Sequence, residues 1–187
     1  MADAATPRMT VEEFLVWDDG TDTRYELIDG QPVAMAPNMS AHGRLVGRLA
    51  GSIENALRSR AGCGVWLNIG IRAARADSYF IPDLIASCEP VTKSQRELVA
   101  PILIVECLSD STEQVDRSAK LPDYQLVPSL QEILLIDPRR VHAEVHRRVG
   151  EDQWLVHLLR TREARLVLQS VGLDVALGEL YEGLPVD

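Results

Sequence analysis

Two almost uninterrupted apolar segments, at residues 102–108 and 132–137, constrain the fold of this chain more than any other feature. Their sequences are Ile-Leu-Ile-Val-Glu-Cys-Leu and Glu-Ile-Leu-Leu-Ile-Asp. Because successive side chains of a strand point to opposite faces, such strands are covered on both sides, as in the centre of a sheet. The sequence therefore predicts an α/β fold in which helices flank a mixed β-sheet core.

Periodic patterns along the rest of the chain predict the other elements. A capping box of Thr10 and Glu13 begins a short helix that reaches about Trp17. A second helix repeats apolar residues between Leu45 and Leu57. The third helix spans about 113–125 and should be kinked or interrupted at Pro122. Strands are predicted at 24–30 and 31–36, which form a hairpin, and at 65–71, 80–86, 141–148, 153–159 and 165–169, with a helical turn at 178–181.

Length and charge limit the class of protein. The 187 residues suit one domain, 1–187, with a flexible start at residues 1–9. No apolar run approaches the length of a membrane span and the start lacks a secretory pattern, so we expect a cytoplasmic protein without a membrane partner. The net charge of -9 argues against broad electrostatic binding of nucleic acid. It does not exclude a nuclease, because acidic residues can ligate metal and basic residues can gather on one face.

Missing motifs disfavour several kinds of site. Cys63, Cys88 and Cys107 are far apart and form no CxxC pair, which disfavours both a disulfide framework and a cysteine zinc site. Cys107 is expected to be a small buried apolar residue. No glycine-rich phosphate loop follows a strand and no GxSxG motif occurs, so nucleotide-binding and serine-hydrolase interpretations have little support.

Two carboxylates stand inside predicted buried strands. Asp83 follows Pro82 within 80–86, and Glu106 interrupts 102–108. A charge in such a place is costly unless it is paired, protonated or bound to metal. If the two strands are neighbours, both carboxylates converge on one cleft, where the Cys107 carbonyl could add a third ligand. Hard oxygen ligands suit Mg²⁺ or Mn²⁺ and not zinc. The alternative is that each carboxylate pairs with an arginine at a strand end.

Glu26 and Lys120 are further candidates for this cleft. Glu26 faces opposite to Tyr25 and Leu27, so it points either into the cleft or to solvent. Lys120 shares one helix face with Asp116 and Tyr124 at four-residue spacing. It either belongs to an exposed Asp–Lys pair or reaches over the strand end to Glu106. There it would orient or deprotonate the attacking water and offset charge on a phosphate.

The histidines carry weaker signals. His142, Glu144 and His146 share one face of a predicted strand and could form a metal set, but a polar exposed face is the favoured interpretation. The neighbouring arginines at 139, 140, 147 and 148 could contact phosphates or balance an acidic surface. His42 precedes the first long helix and lies either near the cleft or in a capping or surface position.

Six short motifs occur in a fixed order along the chain. They are Arg24-Tyr-Glu-Leu-Ile-Asp-Gly30, Pro37 to His42, Pro82-Asp83, Ile104-Val-Glu-Cys-Leu-Ser-Asp-Ser-Thr112, Asp116-x-x-x-Lys120-x-x-x-Tyr124 and Leu134-Leu-Ile-Asp-Pro138. From about Thr10 to Tyr181 their order and spacing resemble the Uma2 family of restriction endonuclease-like proteins, a branch of the PD-(D/E)XK nuclease superfamily. The resemblance implies a restriction-endonuclease-like core and metal-dependent hydrolysis of phosphodiester bonds.

The resemblance also implies roles for individual residues. Asp83 matches the PD aspartate, and Glu106 matches the acidic residue of the second half-motif. Leu108 stands where that motif has its lysine, and in this branch the role passes to Lys120 of the following helix. Glu26 could complete the acidic cluster. Two further departures from the family pattern are Asp110, where proline is common, and Pro122 within the lysine-bearing helix.

The leading hypothesis is a Mg²⁺- or Mn²⁺-dependent endonuclease that acts on DNA, with Asp83, Glu106, Lys120 and Glu26 as its catalytic residues. Endonucleases that cut both strands often work as symmetric pairs, so a homodimer is expected. One alternative is a nuclease-fold module for binding or assembly without turnover. The negative net charge of the chain and the leucine at position 108, where the motif has a lysine, favour it. The other is a metal-dependent hydrolase of small phosphoesters.

Overall fold

The structure is a computed structural model that describes residues 8–36, 39–73, 75, 77–110 and 113–186. The helical elements are α1 (Val11–Val16), α2 (Ser40–Leu57), α3 (Glu113–Val115), a π-helical stretch (Asp116–Lys120), α4 (Leu121–Tyr124) and α5 (Leu177–Leu180). The strands are β1 (Tyr25–Ile28), β2 (Gln31–Ala34), β3 (Gly64–Trp66), β4 (Ile71–Arg72), β5 (Tyr79–Phe80), β6 (Leu84–Ser87), β7 (Pro101–Cys107), β8 (Glu132–Asp137), β9 (His142–Arg148), β10 (Trp154–Leu159), β11 (Arg165–Leu168) and β12 (Leu173–Ala176).

A six-stranded mixed sheet forms the centre of the fold, in the order β10–β9–β8–β7–β6–β3. The two apolar segments become β7 and β8, which are parallel neighbours in its middle, while the other pairs are antiparallel. Every residue of β8 is buried, and in β7 only Ile102 is partly exposed. The predicted class, a mixed sheet flanked by helices, is therefore confirmed.

Both faces of the central sheet are covered, and this decides where Glu106 points. Val105 and Cys107 belong to the core cluster that contains the apolar stripe of α2. Ile104 belongs to the cluster on the opposite face, together with Tyr124 of α4. Because side chains alternate along a strand, Glu106 points to the face of Ile104, under the helical segment 113–124.

The predicted N-terminal helix and hairpin are present. Thr10 and Glu13 form a reciprocal capping box at the start of α1. Asp29 and Gly30 join β1 to β2 at positive φ (49° and 74°), the geometry that an Asp-Gly hairpin turn requires. The hairpin belongs to a second sheet, ordered β2–β1–β5–β4. Of the predicted flexible start, residues 1–7 lie outside the described residues, whereas the Met9 N–H donates to the Gly30 carbonyl (2.9 Å).

Two predicted strands are each divided between the two sheets. Residues 65–71 separate into β3 and β4, with Asn68 between them at φ 58°. The predicted strand 80–86 is interrupted at Ile81, Pro82 and Asp83, because proline has no N–H for a ladder hydrogen bond. The prediction that Asp83 stands inside a strand is therefore wrong. Asp83 lies at the junction where the chain passes from the second sheet to the central one.

The third predicted helix continues past Pro122 through a widened turn. In the π-helical stretch the Leu121 N–H donates to the Asp116 carbonyl, five residues earlier. Pro122 then falls in the first turn of α4, where a missing N–H is tolerated. Such π turns occur frequently at functional sites.

The C-terminal part follows the prediction, with one addition. β9, β10, β11 and α5 occur where the patterns place them. The short strand β12, which pairs with β11, was not predicted. Within the described ranges, no helix combines the length and apolarity that crossing a bilayer requires.

The prediction of no disulfide is wrong for two of the three cysteines. Cys63 and Cys88 are disulfide-bonded. Gly64 of β3 pairs with Ser87 of β6, and these strands are antiparallel. The residue before Gly64 and the residue after Ser87, which are the two cysteines, therefore lie opposite each other. Sequence spacing did not reveal this proximity because β4 and β5 lie between the paired strands. Cys107 is a free and buried thiol, as predicted.

Candidate active site

A cleft of about 340 Å³ lies between the hairpin, the start of α2, the end of β7 and the helical segment 113–124. Several ionisable side chains line it: Glu26, His42, Asp83, Glu106, Asp110, Asp116 and Lys120. The structure thus brings all four predicted catalytic residues to one cleft, together with Cys107. Their roles in catalysis and metal binding stay predictions.

Lys120 lies among three carboxylates. Its Nζ is 3.0 Å from Glu26 Oε2, 3.4 Å from Glu106 Oε1 and 3.1 Å from Asp116 Oδ1. The Asp116 contact is an ion pair without hydrogen-bond alignment. Only 5% of the Lys120 side chain is exposed, so the interpretation of an exposed Asp–Lys pair is wrong. The structure shows the other alternative, in which Lys120 reaches Glu106.

Glu106 is held by two donors inside the protein. The Tyr124 hydroxyl donates to Oε1 at 2.5 Å, and Lys120 Nζ donates to the same oxygen at 3.4 Å. Burial raises the pKa of Glu106 well above its ordinary value, the Lys120 charge opposes this rise, and the charges of Asp116, Asp83 and Glu26 add to it. Burial likewise raises the pKa of Tyr124, which keeps its hydroxyl a donor. A further cation near Glu106 would favour its ionised form.

Asp83 is fixed through one of its oxygens. Oδ2 accepts the Cys107 N–H at 2.8 Å and lies 3.2 Å from His42 Nε2. The side chain is 18% exposed, more than those of Glu26, Glu106 and Lys120. Because Pro82 ends β5 and β6 starts after Asp83, the aspartate is free of both ladders and reaches across to the end of β7.

Glu26 connects the hairpin to Lys120 and to the segment before Asp83. Its Oε1 accepts the Ile81 N–H at 2.7 Å, while its Oε2 faces Lys120. Only 6% of the residue is exposed, so the cleft-facing alternative for Glu26 is the one that the structure shows. The hairpin therefore positions both the segment before Asp83 and the Lys120 ammonium.

Carboxylates outnumber cations in the cleft. Burial acts to lower the pKa of Lys120, but Glu106, Glu26 and Asp116 outweigh it and raise that pKa above its ordinary value. Lys120 is therefore charged at neutral pH and donates hydrogen bonds. Besides the Lys120 ammonium, the residues that line the cleft include five carboxyl groups, those of Glu26, Asp83, Glu106, Asp110 and Asp116, so a cation that enters the cleft meets an excess of acidic groups.

The donor set fits a hard divalent cation. Asp83 and Glu106 offer carboxylate oxygens, and the Cys107 N–H that bonds Asp83 places the Cys107 carbonyl on the same side of its strand. Across the described part of the chain, no group of three or more His, Cys, Asp or Glu residues is spaced to hold a metal ion. Mg²⁺ does not need such a cage, since it usually binds one or two carboxylates and keeps several waters or substrate oxygens.

The predicted face of His142, Glu144 and His146 is a separate cluster on β9. Glu144 accepts two hydrogen bonds from the Arg117 guanidinium (2.7 and 2.9 Å) and lies 2.9 Å from His142 Nε2. The three side chains are only 8–12% exposed, so the predicted exposed face is wrong. The helical segment that carries Arg117 covers it. Because a guanidinium already neutralises Glu144, the structure gives a metal set here no support.

The neighbouring arginines are paired within the chain. Arg139 and Arg140 pair with Asp137, and Arg147 pairs with Glu132. Arg148 donates to the backbone carbonyls of Gln125, Val127, Leu130 and Glu151. Arg139 also bonds Glu113 and Asp110. Three of these arginines therefore balance acidic groups, whereas Arg148 holds backbone carbonyls. Contact with phosphates stays a prediction.

Three residues were not identified as site residues from the sequence: His42 and Asp116, which line the cleft, and Tyr124, which donates to Glu106. Asp116 and Tyr124 share a helix face with Lys120, and that spacing was the available signal. His42 was left undecided, although it continues the apolar stripe of α2 and is buried at 6% exposure. A polar residue on such a stripe indicates a specific partner, here Asp83.

Comparisons with known proteins identify the family and the fold of the chain. The sequence model of the Uma2 family, described as "Putative restriction endonuclease", matches residues 11–178. A crystal structure described as "a putative nuclease belonging to DUF820", from Anabaena variabilis ATCC 29413, has a TM-score of 0.77 and 19% identity, and covers 94% of this chain and 99% of that chain. At this identity the likeness shows a shared fold.

Two relatives come from Synechocystis sp. (strain ATCC 27184 / PCC 6803 / Kazusa). Uncharacterized protein slr1290 is 30% identical over 97% of this chain and 95% of its own length. Uncharacterized protein sll1609 is 30% identical over 89% of this chain and 96% of its own length. With a family match that extends from α1 to α5, the chain belongs to the Uma2 family, whose model carries the description "Putative restriction endonuclease".

Proposed function

We propose that this protein hydrolyses phosphodiester bonds of DNA with the help of Mg²⁺ or Mn²⁺. The observation that carries the proposal is the cleft in which Glu26, Glu106 and Asp116 surround the buried Lys120 ammonium, next to Asp83. A buried carboxyl group with a strongly raised pKa, as Glu106 has, in a cleft that it shares with other ionisable groups is typical of functional sites. Membership in a family described as restriction endonucleases supports the choice of reaction.

Asp83 and Glu106, with the Cys107 carbonyl, would hold the divalent cation. When bound, this cation would polarise the scissile phosphate and lower the pKa of a nucleophilic water. Asp83 is held through Oδ2 by the Cys107 N–H, which leaves its other oxygen for ligation. Glu106 is held through Oε1 by Tyr124 and Lys120, so the direction of its carboxylate is fixed before any cation binds.

Lys120 would orient the attacking water and offset negative charge on the phosphate. Because neighbouring carboxylates raise its pKa, the ammonium keeps its proton and acts as a donor rather than as a base. Glu26 would hold Lys120 in place from the hairpin and could support a second metal ligand. We also propose a symmetric pair of chains for cutting both strands of a duplex.

A plasmid assay tests the reaction. Supercoiled DNA incubated with purified protein and Mg²⁺ or Mn²⁺ should become nicked, and a chelator should stop this. D83N and E106Q should each abolish nicking and weaken Mn²⁺ binding in calorimetry. D174N is the matched control, because Asp174 is exposed and pairs with Arg165 away from the cleft. Equal nicking by D83N and the wild type would refute the assignment. An RNA of matched sequence, offered in parallel, separates DNA from RNA hydrolysis.

Two other functions have specific observations in their favour. Lys120 pairs with three carboxylates and so offsets much of the acidic charge of the cleft without a metal ion. This favours a binding or assembly module without turnover. Mn²⁺ binding that is absent, or independent of Glu106, would support that function. The cleft volume of about 340 Å³ suits a small phosphoester as well as one DNA phosphate. Hydrolysis of nucleotides without hydrolysis of polymers would support a small-molecule hydrolase.

A further inference from the structure

His42 occupies a position that α2 otherwise fills with apolar residues. The buried residues of this helix are His42, Leu45, Val46, Leu49, Ile53 and Leu57, spaced at three- and four-residue steps on one face. The His42 residue is 6% exposed. A leucine at this position would continue the stripe without burying polar atoms, so packing alone does not explain a histidine here.

The contact that explains it is with Asp83. His42 Nε2 lies 3.2 Å from Asp83 Oδ2, the same oxygen that accepts the Cys107 N–H at 2.8 Å. An ionised carboxylate only accepts hydrogen bonds, so the network assigns the hydrogen of the neutral ring to Nε2. Among the residues that the structure describes, both donors to Asp83 act on Oδ2. Oδ1 is thereby left for a ligand in the cleft.

The second ring nitrogen supports the same interpretation. Nδ1 is buried and has no hydrogen-bond partner among the described residues. Buried polar atoms without partners are uncommon in native proteins, and each one calls for an explanation. No described residue donates a hydrogen bond to Nδ1, and the one polar contact described for the ring is the contact with Asp83.

We infer that His42 is a positioning residue of the proposed metal site. By donating from Nε2 to Oδ2 it fixes the Asp83 carboxylate between α2 and the end of β7, so that Oδ1 is the oxygen presented to the divalent cation. This role rests on the proposed function, and it assigns no contact between His42 and substrate or metal. Hydrogen-bond partners of ligating groups typically change metal affinity about 10- to 100-fold when they are removed.

The test compares two substitutions of the full chain by Mn²⁺ calorimetry and urea unfolding. H42L should bind Mn²⁺ about 10- to 100-fold more weakly than the wild type, yet be at least as stable, because leucine continues the stripe and removes the unpartnered Nδ1. H42Q places an amide N–H near the former Nε2 and should recover most of the lost affinity. H157L is the matched control, since His157 is exposed on β10, and its Mn²⁺ affinity should equal that of the wild type.

The outcomes separate this inference from the proposed function. Wild-type Mn²⁺ affinity in a folded H42L protein would overturn the role of His42 alone, provided that D83N abolishes binding. An equal loss of affinity in H42L and H42Q, or a loss that follows a loss of stability, would show a structural role and overturn it as well. If the wild type binds no Mn²⁺, the proposed function fails and the role of His42 fails with it.

Discussion

Lys120 and Glu26 form an ion pair that is almost completely buried, with 3.0 Å between Nζ and Oε2 and less than a tenth of either side chain exposed. Glu26 belongs to β1 of the second sheet, and Lys120 belongs to the helical segment that covers the central sheet. The pair therefore joins two parts of the fold at the cleft. The N-terminal hairpin forms one side of the cleft and supplies the Glu26 carboxylate.

Removing the Lys120 charge should destabilise the fold. K120M leaves Glu26, Glu106 and Asp116 without the ammonium that they share. Breaking buried ion pairs typically costs about 3–5 kcal/mol, so we expect a loss of this size in the free energy of unfolding near neutral pH. Urea unfolding near neutral pH measures this loss.

The other lysine of the chain provides the control. Lys93 is exposed in the segment before β7, and K93M should leave stability within about 0.5 kcal/mol of the wild type. Equal stability of K120M and K93M would contradict the importance of the buried pair.

Tyr124 should matter for both stability and metal binding, whereas Tyr181 should matter for stability alone. Y124F removes the donor to Glu106 Oε1, and Y181F removes a donor to the Asp137 carbonyl, outside the cleft. Each substitution leaves a buried acceptor with one donor fewer, so each should lower the free energy of unfolding by about 1–3 kcal/mol. Only Y124F should also weaken Mn²⁺ binding, by about tenfold, because it loosens a ligating carboxylate. Parallel effects of the two variants on Mn²⁺ affinity would contradict this assignment.

The layered core was predictable because burial leaves a local pattern in the sequence. β7 and β8 are apolar on successive positions, and the periodicity of α2 repeats over several turns. The division of residues 80–86 between two sheets could not be predicted from such a local pattern. Pro82 was visible, but the consequence that β5 and β6 belong to different sheets depends on the arrangement of the whole fold.

The site was predictable only in part, for a related reason. Glu106 stood out as a charge in an apolar strand, strand and helix patterns made Asp83, Lys120 and Glu26 candidates for the same cleft, and the family resemblance gave them roles. The contact of His42 with Asp83 and the bond between Cys63 and Cys88 join residues far apart in the chain. Strand register and the placement of α2 determine these contacts, and no local pattern encodes either of them.

Glu144 should make stability depend on pH. The His146 ring, whose Nε2 lies 3.6 Å from Glu144 Oε2, and the hydrogen bonds from Arg117 hold the pKa of Glu144 well below its ordinary value of 4.5, against the opposing effect of burial. A folded-state pKa below the unfolded one gives stability that is fully present above the unfolded pKa and is lost as pH falls through the folded pKa. The wild type should therefore lose stability below about pH 4.5, with this group adding at most about 1.4 kcal/mol per pH unit to the slope.

E144Q isolates this contribution. Urea unfolding between about pH 7 and pH 3 should give a shallower dependence for E144Q than for the wild type, because the amide does not titrate. E163Q, at an exposed position, should follow the wild type. Superimposable pH profiles of E144Q and the wild type would contradict the assigned role of the Arg117–Glu144 contact.

The Cys63–Cys88 bond closes a loop that contains Ile81 and Asp83, so its reduction should affect both the fold and the site. The two cysteines are 25 residues apart, and closing a loop of that length stabilises a fold by about 3 kcal/mol in the chain-entropy description. A thiol reductant should therefore lower the melting temperature of the wild type to that of the C63S/C88S variant, which should not respond to the reductant. Mn²⁺ affinity should fall together with the melting temperature, because the loop carries Asp83 and the Ile81 N–H that holds Glu26. A melting temperature that the reductant leaves unchanged would show that the bond does not contribute to stability.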